Sequence, residues 1–463
     1  MLSLLGSRIR LCDDITRRTT LRVGALATTG LLWPHLLRAR AADTGGKTVG
    51  KGPSAKACIL IYNYGGPSHL DTWDLKPSAP DEIRGTFKPI ATRVPGVAIT
   101  EHLPRLAAMA DRYAIVRSVG HRDNDHAIGA YLTLTSHSHP KHEILGIEPP
   151  AAPQDMPSLG SVVSKLRPVK KPLFSYVTLG DLRHLGNNDS MGQNAGCLGK
   201  AYDPFTLPFV RPIEGPLDMT GITSVLGAVD RPRLDERRAL VDEMARVAPA
   251  LEATAGMRHL DDAVRKAHVL LASSASRDAF DLAREPQKVR DAYGPSPFAQ
   301  NCLLARRLVE AGVPMITVYS WGNRDWDTHA QNFKHLKETL LPGTDRAVAA
   351  LLEDLGQRGL LDQTLVVWMG DMGRTPRINK DAGRDHWSFC YSVVMAGGGV
   401  RGGQVHGSSD RSAAYPATNP VGPADVTATI YHCLGIDPAA HVTDQQGRPI
   451  GICPGRRMEA LLG

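Results

Sequence analysis

Apolar residues in this chain come mainly as short runs separated by polar, glycine-rich turns. Tyr113 to Val119, Met315-Ile316-Thr317-Val318-Tyr319, Leu365 to Met369 and Tyr391 to Ala396 read as strands. Ala57-Cys58-Ile59-Leu60-Ile61-Tyr62 is a continuous apolar run, as expected of a central strand covered on both faces. Between them, apolar residues recur at helical spacing over Pro104 to Asp111, Ala127 to Leu134, Cys302 to Ala311, Lys334 to Gln357 and Ala424 to Leu434. This alternation predicts an α/β fold with a doubly wound, mostly parallel sheet flanked by helices.

One stretch breaks the rhythm. Residues Pro168 to Pro232 are rich in Gly, Pro and Asn and show little periodicity, whereas Leu234 to Ala250 and Arg258 to Glu285 have the pattern of two long amphipathic helices. Together they predict a loop-rich and helical insertion over 168–290, acting as a lid or as a packing layer.

The first residues stand apart from the core. Paired arginines in Thr16-Arg17-Arg18-Thr19-Thr20-Leu21-Arg22 precede a mildly apolar run, Val23 to Leu37, that ends in Ala39-Arg40-Ala41. That layout predicts a twin-arginine export signal over 1–41, with the periplasm or cell envelope as destination. Pro34 and His35 shorten the apolar stretch below a membrane span. A linker, 42–55, leads to a single domain, 56–463.

Removing the signal changes the charge picture. Residues 1–41 hold seven Arg and two acids, so their loss takes the net charge from +7 to +2. No nucleic-acid footprint of clustered basic and aromatic residues is present in the sequence. The six cysteines after position 41 form no C-x-x-C pair, which argues against a structural zinc site or a thioredoxin-like motif. Cys58, Cys302, Cys390 and Cys433 lie in apolar runs and read as small buried hydrophobes.

The chemistry gathers at strand ends. Asp327 and His329 follow the Met315 strand, Asp371 follows the Leu365 strand between glycines, and Asp385 with His386 precedes the Tyr391 strand. His69 and Asp71 follow the first strand, and Asp125 and His126 follow the second. Side chains at the carboxyl ends of neighbouring strands in such sheets face one crevice. Carboxylates and imidazoles together suit a dication, and their number suffices for one or two ions of Zn, Mn, Mg or Ca. Two ions would clamp an in-line displacement at phosphorus or sulfur, with Arg374 or Arg384 on a non-bridging oxygen. Each group taken alone also fits a bland role: Asp as a cap, His on the surface, Arg in a salt bridge.

The motifs Tyr64-Gly65-Gly66-Pro67-Ser68-His69-Leu70-Asp71-Thr72-Trp73-Asp74, Glu101-His102-Leu103-Pro104, Arg122-Asp123-Asn124-Asp125-His126, Trp326-Asp327-Thr328-His329, Gly373-Arg374-Thr375-Pro376 and Gly383-Arg384-Asp385-His386-Trp387 resemble the signature of the DUF1501 family. The resemblance runs from about Lys56 to the C-terminus. It implies membership of the alkaline-phosphatase-like superfamily, which includes sulfatases and phosphodiesterases. By that analogy Asp327, His329, His386 and Asp371 match its metal ligands, with Asp71 a later substitute for its displaced first-strand Asp, while the residues themselves offer Asp125, His126, Arg374 and Ser68 for catalytic roles. Two departures stand out. Met372 occupies a position where the superfamily carries His, and no hydroxyl lies among Asp123, Asn124 and Asp125, where its nucleophile sits. Ser68, Ser118 or a metal-bound water is left for that role, or no nucleophile at all.

The expectation is an exported metal-dependent hydrolase of sulfate or phosphate esters, acting on a small molecule or a polysaccharide. The alternative is a non-catalytic, metal-containing binding or scaffold protein of the cell envelope.

Overall fold

The computed structural model describes residues 55–140, 150–169, 174–180, 191–207, 278–320 and 325–463. The export signal, nearly all of the linker, the helix at Leu234 to Ala250 and most of the one at Arg258 to Glu285 lie outside the described residues.

Among the described residues the central sheet has eight strands: β1 Ala57–Asn63, β2 Tyr113–Val119, β3 Tyr176–Leu179, β4 Phe205–Leu207, β5 Met315–Tyr319, β6 Thr364–Gly370, β7 Tyr391–Ala396 and β8 Gln404–His406. Their order is β8-β2-β7-β6-β1-β5-β3-β4. All pairings are parallel except those of β7, which runs against both β2 and β6. The sheet is therefore mixed and mostly parallel.

All seven residues of β1 are buried. Ile59 and Ile61 belong to one apolar core, with Leu303 of helix α3 (Pro297–Glu310) and Leu351 of helix α4 (Leu341–Gln357). Cys58, Leu60 and Tyr62 belong to a second core on the other face, with Val162 and Ile430. Those two residues lie in Leu159–Leu166, here α2, and in Pro423–Cys433, here α5. Alternate side chains of a strand point to opposite faces, so the unbroken run in β1 is the mark of a sheet wound on both sides.

The structure corrects the sequence reading in several places. Part of the stretch taken as surface excursion supplies β3 and β4, which are only four and three residues long and too short to show a period. The helical pattern ending at Glu285 breaks at Asp281, whose side chain caps a 3-10 turn at Leu282–Arg284. The Pro104 helix closes at Ala107 and is followed by a separate 3-10 turn at Ala110–Arg112. Ahead of α4, a helical turn at Asn332–His335 passes into a π turn at Leu336–Leu340. Pro342, at the start of α4, has no N–H to return to that turn, and the wider π geometry accommodates it.

Cys58, Cys302, Cys390 and Cys433 are buried and free. Burial pushes the Cys390 and Cys433 thiols up to about 12, so neither is a ready nucleophile. Among the described residues no helix is long and apolar enough to cross a membrane.

The reversal of β7 matters most for the site. Tyr62 of β1 lies opposite Tyr319 of β5, Asn63 lies opposite Gly370 of β6, and Tyr391, which opens β7, lies opposite Val119 at the end of β2. Residues following β1, β2, β5 and β6 and residues preceding β7 therefore share one edge. Asn63 ties that edge together, donating to Met369 O (3.0 Å) and accepting from Ser320 Oγ (2.7 Å).

Candidate metal centre

Three imidazoles converge on one carboxylate oxygen at this edge. Nε2 of His126 lies 3.1 Å, of His329 3.0 Å and of His386 3.4 Å from Asp327 Oδ1. Arg374 Nη2 reaches the same oxygen at 2.5 Å.

Different elements deliver these groups. His126 is the first residue of α1, His126–Thr135, and Asp125 is its N-cap, accepting from Ala127 N (3.0 Å) and Ile128 N (3.4 Å). Asp327 and His329 lie in the loop after β5, where two tight turns, Thr328 N to Trp326 O and His329 N to Asp327 O, bring both side chains inward. Trp326, buried against Trp368 and donating to Ser320 Oγ (2.9 Å), anchors that loop. His386 follows the reversed turn before β7. Asn124 clamps it, accepting from Ser388 N with its side chain (3.0 Å) and from His386 Nδ1 with its backbone oxygen (3.2 Å).

The remote nitrogen of each ring fixes its protonation. His126 Nδ1 bonds Asp371 Oδ2, His329 Nδ1 bonds Asp385 Oδ1 (2.8 Å), and His386 Nδ1 bonds the Asn124 carbonyl. All three partners only accept, so in the neutral rings the proton sits on Nδ1 and a lone pair on Nε2. Three lone pairs then face a carboxylate oxygen. The buried Nε2 atoms of His126 and His386 have no hydrogen-bond partner. Such an array is repulsive without a cation between its members.

Charge leads to the same conclusion. Asp327 pairs with the Arg374 guanidinium, whereas the buried Asp371 and the half-exposed Asp385 face imidazoles, His126 and His329, which bring no compensating charge when neutral. Burial alone would lower the His126 pKa, yet Asp371 and Asp327 raise it. Burial alone would raise that of Asp327, yet in the metal-free cluster His126 and His386, when protonated and donating through Nε2, together with Arg374 hold it far below the ordinary carboxylate range, and a dication would take the place of those protons. The donor set therefore fits a dication, and His126, Asp327 and His386 place ligand atoms within 4.8 Å of one another. Orienting each ligand histidine through its other nitrogen is the usual support for a metal-binding imidazole.

Other residues singled out in the sequence lie elsewhere or play other parts. Asp371 is fully buried, with Oδ1 taking the Gly65 N–H (3.0 Å) and Oδ2 facing His126 Nδ1. Met372 is buried too, its side chain packed against Gly66. Asp71 pairs with Arg384 at 2.7 and 3.0 Å, and Ser68 Oγ donates to Asp71 Oδ2 (2.6 Å). His69 is buried with Nε2 on Ala413 O (2.8 Å). Among the described residues, a single His/Asp/His group is assembled.

Sequence reasoning passed over His121, whose Nε2 bonds the Asp371 carbonyl (2.7 Å), and Asn379, which donates to Asp385 Oδ1 (3.1 Å) and His329 O (2.8 Å). Asp385 was visible in the motif, but only the fold shows that it orients His329.

Residues 55–462 match the family described as "Protein of unknown function (DUF1501)". No curated protein matches the chain. Solved structures similar to it include Ps i-CgsB in complex with k-i-k-neocarrahexaose, at 11% identity and TM-score 0.42, covering 84% of this chain and 73% of that one. The phosphonate monoester hydrolase SpPMH from Silicibacter pomeroyi is 14% identical with TM-score 0.38, covering 88% and 76% respectively. TAB5 alkaline phosphatase, a mutant with Mg bound, is 9% identical with TM-score 0.37, covering 84% and 100%.

Proposed function

The chain belongs to the DUF1501 family, whose description names no activity, and from the strand-end cluster we propose that it is an exported, metal-dependent hydrolase of sulfate or phosphate esters. The observation that carries this reading is the convergence of three Nε2 lone pairs, each fixed by an acceptor at Nδ1, on Asp327 Oδ1.

His126, Asp327 and His386 would hold the ion, with His329 at the rim. A nitrogen-rich set with one carboxylate suits Zn better than Mg or Ca. A dication held there supplies Lewis acidity and brings water's pKa toward neutrality. Arg374, fully buried, holds the Asp327 carboxylate in place. His329 and His386, 46% and 26% exposed, are the solvent-facing members, so an ester would approach over them. Asp125 is occupied as a helix cap and Ser68 as a donor to Asp71. Water is therefore the nucleophile in this reading. The substrate is a sulfated or phosphorylated small molecule or polysaccharide, and the 1–41 signal would export the chain through the twin-arginine pathway to the periplasm or cell envelope.

That Asp125 and Ser68 are both engaged elsewhere favours a second reading, a metal-containing binding or scaffold protein of the envelope. Elemental analysis of the purified protein, combined with assays on aryl sulfates, phosphate monoesters and diesters under Zn, Mn, Mg or Ca, separates the two. Hydrolysis that needs metal and disappears in Asp327→Ala and His386→Ala supports the hydrolase. Bound metal without turnover on any ester moves the assignment to the binding protein. Absence of bound metal after reconstitution removes both.

A further inference from the structure

Asp71 and Arg384 are each fully buried, and their side chains meet in a two-point ion pair of 2.7 and 3.0 Å. A guanidinium fork on a carboxylate fixes direction as well as distance. The pair lies where three segments bearing or supporting the candidate ligands meet. Arg384 immediately precedes Asp385 and His386, its backbone N–H donates to Thr328 O (3.0 Å), and its backbone oxygen accepts from Arg374 Nη1 (3.2 Å). Its guanidinium also donates to Thr375 O (3.1 Å) and Ile83 O (2.8 Å). Asp71 Oδ2 accepts from Asn332 Nδ2 (2.9 Å), and Asn332 Oδ1 in turn accepts from Thr328 Oγ1 (2.6 Å). Thr328 stands between Asp327 and His329. The ion pair thus reaches the Asp327–His329 loop from two sides while carrying His386 on its own backbone.

We propose that Asp71 and Arg384, with Asn332 and Thr328 as the link, are positioning residues that set the spacing between Asp327 and His386 for a divalent cation. The inference rests on the metal-centre reading. It assigns Asp71 a role through Arg384 rather than as a ligand, since both oxygens of its carboxylate are already occupied. A fork of this kind is not replaced by lysine, which has a point charge and no planar pair of donors.

The test titrates the full chain with Zn²⁺ in competition with a chromophoric chelator and follows thermal unfolding of the same proteins after stripping. Arg384→Lys breaks the fork and keeps the charge. Thr328→Val cuts the link without touching the pair, and Thr328→Ser restores the hydroxyl. The expected result is one Zn²⁺ per wild-type chain, binding weakened roughly 10- to 100-fold in Arg384→Lys and Thr328→Val, as for other outer-shell substitutions, and wild-type binding in Thr328→Ser. Wild-type affinity in both weakened variants, even with a lowered unfolding midpoint, would overturn the positioning role and leave the metal centre standing. A wild-type chain that binds neither Zn²⁺ nor Mn²⁺, Mg²⁺ or Ca²⁺ would overturn the metal centre itself, and the positioning role with it.

Discussion

Asp371 accepts His126 Nδ1 on one carboxylate oxygen and the Gly65 N–H, 3.0 Å away, on the other. One fully buried side chain therefore sets the tautomer of the imidazole and fastens the glycine turn after β1 to the end of β6. In Asp371→Asn the amide can satisfy Gly65 only by turning its NH₂ toward His126, which drives the ring proton to Nε2 and removes the lone pair from the cluster. Zn²⁺ affinity should fall by about 10- to 100-fold, with the tautomer change visible in the ¹⁵N shifts of His126. Unchanged shifts and affinity would show that Asp371 does not orient the ring.

Arg374 satisfies several buried acceptors at once: Gly66 O (3.0 Å), Gly65 O, Arg384 O (3.2 Å) and Asp327 Oδ1 (2.5 Å). Arg374→Met would leave them unpaired around an uncompensated carboxylate, and removing one partner of a buried pair costs about 3–5 kcal/mol. Urea unfolding of the metal-free protein should show a loss of that size. A loss under about 1 kcal/mol, the value of an exposed pair, would mean that the guanidinium is not acting as a buried counter-charge.

Much of this arrangement was legible in the chain. The runs at Tyr113, Met315 and Tyr391 became strands with the expected bounds because each is rich in apolar residues and buried, Arg117 being the one partly exposed member. The Asp327, His329 and His386 motifs pointed to one crevice because strand ends cluster. Three things were not legible. The antiparallel course of β7 leaves no local signature, yet it explains how residues ahead of a strand reach the edge where others follow one. The partners of Asp71 and Asp371 are hundreds of residues distant in sequence, at Arg384 and His126, so strand-end position alone could not show that these carboxylates face a guanidinium and an imidazole N–H. β3 and β4 were too short for pattern reading.

Gly65 has φ of +105°, and a Cβ added there would come 2.5 Å from Asp327 N and 2.9 Å from Trp326 C. Both backbone conformation and space thus demand glycine. Gly65→Ala should cost roughly 1–3 kcal/mol in backbone strain. It should also push the Asp327 loop outward, reducing Zn²⁺ binding beyond what the stability loss explains. Measuring binding below the unfolding range separates the two effects, and full affinity in folded Gly65→Ala would show that the loop yields without moving the carboxylate.

Away from the site, Glu285 governs a pH response. Burial alone would raise its carboxyl pKa, but Arg306 (3.0 and 2.7 Å) and Arg307 outweigh burial and hold it below the ordinary value. A depressed folded pKa contributes stability that is fully present above the unfolded value, about 4.3 for Glu, and is lost as pH falls through the folded value. The wild-type unfolding midpoint should therefore decline as pH drops below about 4, through this group among others. Glu285→Gln should lower stability at pH 7, and the midpoint with it, by less than the roughly 3–5 kcal/mol of a fully orphaned charge, because Arg306 keeps Glu310 and Asp354 as partners. It should also flatten the acid slope, so the two curves converge toward low pH. Thermal melts of both proteins between pH 3 and 7 decide the matter: parallel curves would show that Glu285 titrates alike in the folded and unfolded chains, and that its contacts with Arg306 and Arg307 carry no net electrostatic stabilisation.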